Sequence, residues 1–288
     1  MSAQSGAAGQ QADHGERSWR YYTEPAVVDV RGLPTAYRRD GRGEPVVYLH
    51  GAGLTRRWLP LFDQMARRVD LIVPEHPGFG DTPLPTWLDG FCDAVLHYDE
   101  LFDRLDLEAV HLVGHSVGGW LAAEYATFYP RRVKSLTLIA PLGLRVTDHP
   151  ICDIFRLTPD EAGPALFSGP ADPYAEYLSD GNEVETLVQG YSELTALGRL
   201  MWNPRYDVKL DRRLGRVTCP AVVVTPNEDR IVPRAHFERW TELLPNARLE
   251  TIAGTGSPTG HLLIIQEPGK LADLVTDFVA SVIAGTTR

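Results

Sequence analysis

Ala109-Val110-His111-Leu112-Val113-Gly114-His115-Ser116-Val117-Gly118 runs from an apolar, strand-like stretch straight into a G-x-S-x-G pattern. In that pattern a serine sits on a tight strand-to-helix turn, held clear of its own backbone and facing a base. Glycines two before and two after remove side chains that would collide where the strand folds back under the helix. The continuation agrees: Val117 to Tyr129 carries Trp120, Leu121, Ala123, Ala126 and Phe128 in a mostly apolar helical segment, stopped by Pro130. Chance matches to so short a pattern are common, so the strand-turn-helix context is what gives it weight.

A serine of this kind needs a histidine base and a carboxylate to orient it, and in folds built on this elbow they follow in the order Ser, Asp or Glu, His. Of nine histidines, only His261 lies late in the chain in a fitting place, after the alternating run Ala247 to Ala253 and a loop of Gly, Ser, Pro and Thr. For the acid, Ala221-Val222-Val223-Val224 reads as a buried strand, and Asn227-Glu228-Asp229-Arg230-Ile231-Val232-Pro233 follows its C-terminal end. Asp229 is favoured over Glu228 because it stands four residues before the proline that opens the next helix. Pro45 to Leu49 reads as a strand ending in His50-Gly51-Ala52-Gly53, where backbone N–H groups can face developing negative charge. The expected oxyanion donors are the N–H groups of Ala52 and Val117, with His50 in a structural role.

Taken together, these segments and the Pro77-Gly78-Phe79-Gly80 turn resemble an α/β-hydrolase-fold enzyme, in that family's order, from about residue 45 to residue 268. The resemblance implies a nucleophile at Ser116, a base at His261 and an orienting acid at Asp229. Some members carry the acid after the preceding strand, which makes Asp148 the competitor. Two departures stand out. Glu75-His76 precedes the Pro-Gly-x-Gly turn where members often have an aspartate, and Gly254-Thr255-Gly256-Ser257-Pro258-Thr259-Gly260 is longer than the usual glycine-rich approach to the histidine. The extra backbone freedom leads to the expectation that this loop holds His261 away from Ser116 until substrate or cap closes over it.

Read coarsely, the chain alternates strand and helix. Strands are expected at Ala26–Val30, Thr35–Arg39, Pro45–Leu49, Asp70–Pro74, Val110–Gly114, Ser135–Ala140, Ala221–Thr225 and Arg248–Ile252, with helices at Trp58–Arg68, Phe91–Leu105, Val117–Tyr129, Arg234–Leu244 and Lys270–Ile283. The fold class is therefore α/β, a mostly parallel eight-stranded sheet with helices on both faces and ligands at the C-terminal strand ends. Residues 1–20 are expected to be a disordered tail, 21–145 and 210–288 the two parts of the core, and 146–209 a helical cap. Apolar residues in that insertion suggest several short amphipathic helices, whose inner face forms part of a substrate pocket. Tyr191 and Trp202 are candidates to line it, and Arg199 and Arg205 candidates to anchor a carboxylate.

At 288 residues the chain can bury a sizeable core, and no apolar run is long enough to span a bilayer. A net charge of -10 argues against nucleic acid as a partner. Three isolated cysteines, Cys92, Cys152 and Cys219, form neither a disulfide framework nor a zinc spacing and fit a reducing cytoplasm. Neither metal nor cofactor is expected, and the partner is a small-molecule substrate of a monomer or homodimer. The stretch Gly114 to Gly119 does not give the dinucleotide fingerprint G-x-G-x-x-G, so a nicotinamide enzyme is disfavoured. Because relatives that open epoxides or displace halide use a carboxylate at the elbow, Ser116 implies an acyl intermediate and a carbonyl substrate. Hydrolysis of an ester or lactone is expected, with C–C cleavage of a diketone as the alternative enzyme and a non-catalytic ligand receptor as the alternative of another class.

Overall fold

The computed structural model describes residues 21–178, 183–255 and 257–285; the tail expected over residues 1–20 lies outside them. Eight strands form one sheet: β1 (Ala26–Val30), β2 (Leu33–Gly41), β3 (Pro45–Leu49), β4 (Asp70–Pro74), β5 (Val110–His115), β6 (Val133–Ile139), β7 (Ala221–Pro226) and β8 (Ala247–Ile252). Their order is β1-β2-β4-β3-β5-β6-β7-β8. β1 and β2 make a hairpin across Arg31 and Gly32, both at positive φ, and β2 pairs antiparallel with β4; every other pairing is parallel. β5 and β7 are buried at every position, as their continuous apolar runs require of strands covered on both faces.

The helices follow from the connections. α1 (Pro60–Ala66) joins β3 to β4, whereas α2 (Phe91–Arg104) carries the chain from β4 back past β3 to β5. Right-handed crossovers running in opposite directions put α1 and α2 on opposite faces, and α3 (Val117–Phe128) follows α2 because β5 to β6 continues the same way. The direction reverses at β3, which opens a crevice at the C-terminal ends of β3 and β5.

Between β6 and β7 there is no strand among the described residues. The chain instead forms α4 (Pro159–Phe167), α5 (Glu183–Met201) and the one-turn α6 (Leu210–Arg213), with short 3-10 turns at Ile154–Arg156 and Asp172–Tyr177. A capping box between Thr158 and Glu161 starts α4. After β7 come α7 (Arg234–Leu243), then β8, the one-turn α8 (Leu263–Gln266) and α9 (Pro268–Ile283), which packs against α1. No helix of the described residues is long and apolar enough to cross a membrane.

Candidate active site

Ser116 occupies the turn between β5 and α3 with φ 57 and ψ -120, a backbone conformation L-residues seldom adopt. Its neighbours fix it there. The Ser116 N–H donates to the carbonyl of Ile139 at the end of β6, over 2.9 Å. The flanking glycines answer to space: a Cβ on Gly114 would stand 2.3 Å from the Gly118 carbonyl oxygen, and one on Gly118 would stand 2.2 Å from that of Leu49. Strand and helix can cross this closely only without side chains at both positions.

His261 Nε2 lies 2.8 Å from Ser116 Oγ, and His261 Nδ1 lies 2.9 Å from Asp229 Oδ2. All three side chains are buried, and the second oxygen of Asp229 accepts the N–H groups of Ile231 and Val232 at 2.8 and 2.9 Å. The carboxylate therefore has a fixed direction. It receives Nδ1–H and leaves the Nε2 lone pair facing the serine hydroxyl. Asp148, by contrast, is exposed.

The expectation that the loop before His261 holds it away from Ser116 is corrected by that 2.8 Å distance. The described part of the loop is tied down at several points. Thr259 N–H donates to Asn227 Oδ1 and Gly260 N–H to Gln266 Oε1, while the Thr259 carbonyl accepts the N–H of Glu228. A Cβ on Gly260 would meet the Phe167 backbone at 2.5 Å, so this glycine serves close packing more than mobility. Gly256 lies outside the described residues.

One further tie went unforeseen from the sequence. The buried side chain of His115 donates from Nε2 to the His261 carbonyl at 2.9 Å. Burial, with the nearby His261 imidazole, pushes the His115 pKa down to about 3, so the ring stays neutral. The signal was present as the x before Ser116, but nothing local in the sequence links it to a backbone oxygen 146 residues on.

Two buried histidines order the loop after β3. The His76 N–H donates to His50 Nε2 (3.0 Å), which leaves His50 Nδ1–H to donate to the Gly51 carbonyl (2.6 Å). His76 Nε2–H in turn donates to the His50 carbonyl (2.8 Å), and its Nδ1 accepts from Tyr98 O–H (2.6 Å). Burial lowers both pKa values and keeps both rings neutral. Glu75 stands at the centre of the next turn. It pairs with buried Arg38 at 2.6 Å and accepts the Arg56 N–H, and a Cβ on Gly80 would clash with its carboxylate. Among the described residues, neither the Ala52 N–H nor the Val117 N–H has a hydrogen-bond partner, and Val117, as the first residue of α3, has no helical acceptor to find.

The other candidates are not brought to this constellation. Tyr191 is 78 % exposed on the outer face of α5, whose inner face carries buried Glu193, Ala196, Leu197 and Met201. Trp202 is 62 % exposed, edge-on to Phe155 at 5.0 Å. Arg205 pairs with Asp153 at 3.1 Å, and Arg199 donates to the Leu88 carbonyl at 3.4 Å. The expected inward aim of Tyr191 and Trp202 is thus corrected: α5 is apolar on two faces, periodicity alone does not say which one meets the core, and Trp202 lies just past the end of that helix. No group of three or more possible metal ligands occurs among the described residues.

As a whole, the arrangement can deprotonate a buried hydroxyl at a turn where the N–H of the next residue, Val117, is unpaired. The chain is 29% identical over 241 residues to the dihydrolipoyllysine-residue acetyltransferase component of the acetoin cleaving system of Cupriavidus necator, covering 80% of this chain and spanning 63% of that protein's length. It is 24% identical over 268 residues to the monoacylglycerol lipase ABHD6 of Mus musculus (85% of this chain, 78% of that one). It is 25% identical over 272 residues to the 2-hydroxy-6-oxo-2,4-heptadienoate hydrolase of Pseudomonas putida (88% and 96%). A solved membrane phospholipase A shares the fold with a TM-score of 0.76 at 20% identity, covering 90% of this chain and 86% of that one. The model of the alpha/beta hydrolase family matches residues 46–274, and the chain belongs to that family.

Proposed function

We propose that the protein is a serine hydrolase that cleaves a carboxylic ester or lactone of a small, largely apolar substrate through an acyl-enzyme. The observation that carries this reading is the unbroken series of contacts from Ser116 Oγ to His261 to Asp229, at 2.8 and 2.9 Å. Ser116 Oγ attacks the carbonyl carbon while its proton passes to His261 Nε2. The oxygen that becomes negative takes hydrogen bonds from the N–H groups of Ala52 and Val117. As the tetrahedral species collapses, the proton moves from Nε2 to the departing alkoxide. Water, deprotonated by the same nitrogen, then releases the acid and restores Ser116. Asp229 keeps the imidazole in the required tautomer and offsets the charge it gains.

A second reading, hydrolytic C–C cleavage of a diketone, is favoured by the likeness to the Pseudomonas putida hydrolase. Against it, the two arginines that would anchor such a substrate's carboxylate, Arg199 and Arg205, are engaged elsewhere. The helical segment between β6 and β7 is proposed to act as a cap over the site. Each methylene buried beneath it would contribute about 0.8 kcal/mol until the space is full, after which longer chains would be excluded.

The deciding experiment is a substrate panel of p-nitrophenyl esters from acetyl to palmitoyl, several lactones and a vinylogous diketone. Multiple turnovers of a short or medium ester or a lactone, with kcat/KM rising and then falling along the acyl series, support the reading. A diketone cleaved far faster than every ester and lactone would replace it with the second reading, and binding without turnover would point to a receptor.

A further inference from the structure

The loop proposed to hold the oxyanion, Gly51 to Arg57, is strained. Gly53, Leu54 and Arg56 have φ of 75, 58 and 63, three left-handed residues within four positions. Non-glycine residues in this region persist only where the surroundings over-determine them. Part of the restraint comes from the core, where Glu75 accepts the Arg56 N–H at 3.2 Å. The rest comes from the insertion. Glu193, on the inner face of α5 and 5 % exposed, reaches down beside the loop. One of its carboxylate oxygens accepts the Gly53 N–H at 3.2 Å. The other accepts the Thr55 hydroxyl, the Gly80 N–H at 3.2 Å and the Gln189 side-chain amide at 2.7 Å.

We infer that Glu193 is a positioning residue for the reaction: a carboxylate supplied by α5 that sets the oxyanion loop, so that docking of the helical insertion and assembly of the oxyanion donor at Ala52 are one event. The inference rests on the proposed hydrolase reading. Three features carry it. All four groups facing Glu193 are donors, and an ionised carboxylate is the side chain that only accepts. The Gly53 N–H it takes belongs to the peptide next to Ala52, so the carboxylate acts one residue from the proposed donor. The same group also holds the Gly80 turn, tying two core loops to one residue of α5. A carboxylate with this many donors gives α5 a single seat, whereas apolar contacts alone would tolerate sliding.

Glu193→Gln is the discriminating change. An amide keeps the size but offers one acceptor oxygen, so its NH2 must face either the Gly53 N–H or the group of three donors, and the loop loses a tie in both cases. With short p-nitrophenyl esters, kcat should fall about 10- to 100-fold with KM little changed, as expected for a displaced oxyanion donor. Affinity for a trifluoromethyl ketone, whose adduct with Ser116 carries an oxyanion, should fall in proportion to kcat/KM. Leu197→Ala, which removes a buried apolar contact of the same helix face without touching the carboxylate, is the comparison for a merely structural role. It should lower the melting temperature while leaving trifluoromethyl ketone affinity near that of the native protein.

Should Glu193→Gln not fold, Thr55→Val decides the matter, because it removes one donor and leaves the carboxylate in place; it should lower kcat and inhibitor affinity together by a smaller factor. Native-like kcat and inhibitor affinity in Glu193→Gln, or in Thr55→Val where the first variant does not fold, overturn the inference while leaving the hydrolase reading intact. Equal losses of inhibitor affinity in Leu197→Ala and Glu193→Gln overturn it too. Wild-type protein that neither turns over esters nor is labelled at Ser116 by a fluorophosphonate would overturn the hydrolase reading and this inference with it.

Discussion

His261 Nε2 stands 2.8 Å from the Oγ of Ser116, a residue 145 positions earlier in the chain. His261 is held there from two directions: Asp229 orients its ring, and His115 grips its backbone carbonyl.

Ser116→Ala should abolish covalent labelling by a fluorophosphonate and lower kcat by about three orders of magnitude or more, since nucleophile and base act as a unit. Mass spectrometry of labelled peptides, together with steady-state rates, checks this. Full labelling of the variant would remove Ser116 from the role of nucleophile.

Asp229→Asn should be crippling, with a loss approaching about 10⁴ in kcat, because an amide favours the wrong imidazole tautomer. Asp148→Asn, at an exposed position, should leave the rate near that of the native protein. Parallel kinetics on one ester settle the comparison; the opposite ranking would move the acid to Asp148.

His115→Phe keeps a buried ring and loses the donor to the His261 carbonyl. The expected result is a fall in kcat of about tenfold or more with KM unchanged, because a base displaced by a fraction of an ångström no longer meets the hydroxyl in line. A native kcat in this variant would show that Asp229 and the loop contacts position His261 without help.

Tyr191→Ala should not shift the acyl-chain optimum, because that side chain faces outward. The full ester series measured on the variant tests this. A moved optimum would mean that α5 turns its outer face toward substrate during turnover.

Stability should fall as the pH drops below about 6.5, the ordinary histidine value. Burial lowers the pKa values of His50, His76 and His236, and takes His97 and His111 to about 4 and His115 to about 3. In that window the unfolded chain binds protons that the folded chain refuses, so the stabilisation present above 6.5 is lost as pH falls through 4. Glu124, raised to about 7 mainly by burial, and Glu75, also raised by burial, act in the opposite sense: their contribution is present below 4.5 and is lost as pH rises through their folded values. The six histidines outnumber these two carboxyls. Urea unfolding followed by tryptophan fluorescence, from about pH 7.5 down to about pH 4.5, should show a falling midpoint; a flat or rising midpoint toward acid would contradict the assignment.

Most of the sheet was legible because its strands are either continuous apolar runs, as in β5 and β7, or short segments bounded by glycine and proline. Boundaries moved by only a residue or two: β2 extends to Leu33–Gly41 and α9 begins at Pro268. The insertion was less legible. Tyr191 and Trp202 carry the apolar spacing of an inward face, yet α5 has a second apolar stripe, and the buried Glu193 between Ser192 and Leu194 looks in sequence like a solvated charge. Its partners Gly53, Thr55 and Gly80 lie more than a hundred residues away.

What the sequence determined alone was what local chemistry encodes: which segments are strands, where glycine must stand for β5 and α3 to cross, and the order Ser116, Asp229, His261. What only the tertiary structure decided was how distant groups meet. The seven residues before His261 read as slack because glycine frees the backbone. In the fold, Asn227 and Gln266 tie Thr259 and Gly260, and His115 holds the His261 carbonyl, through hydrogen bonds that depend on the packing of β5, β7 and α8, which no local pattern specifies.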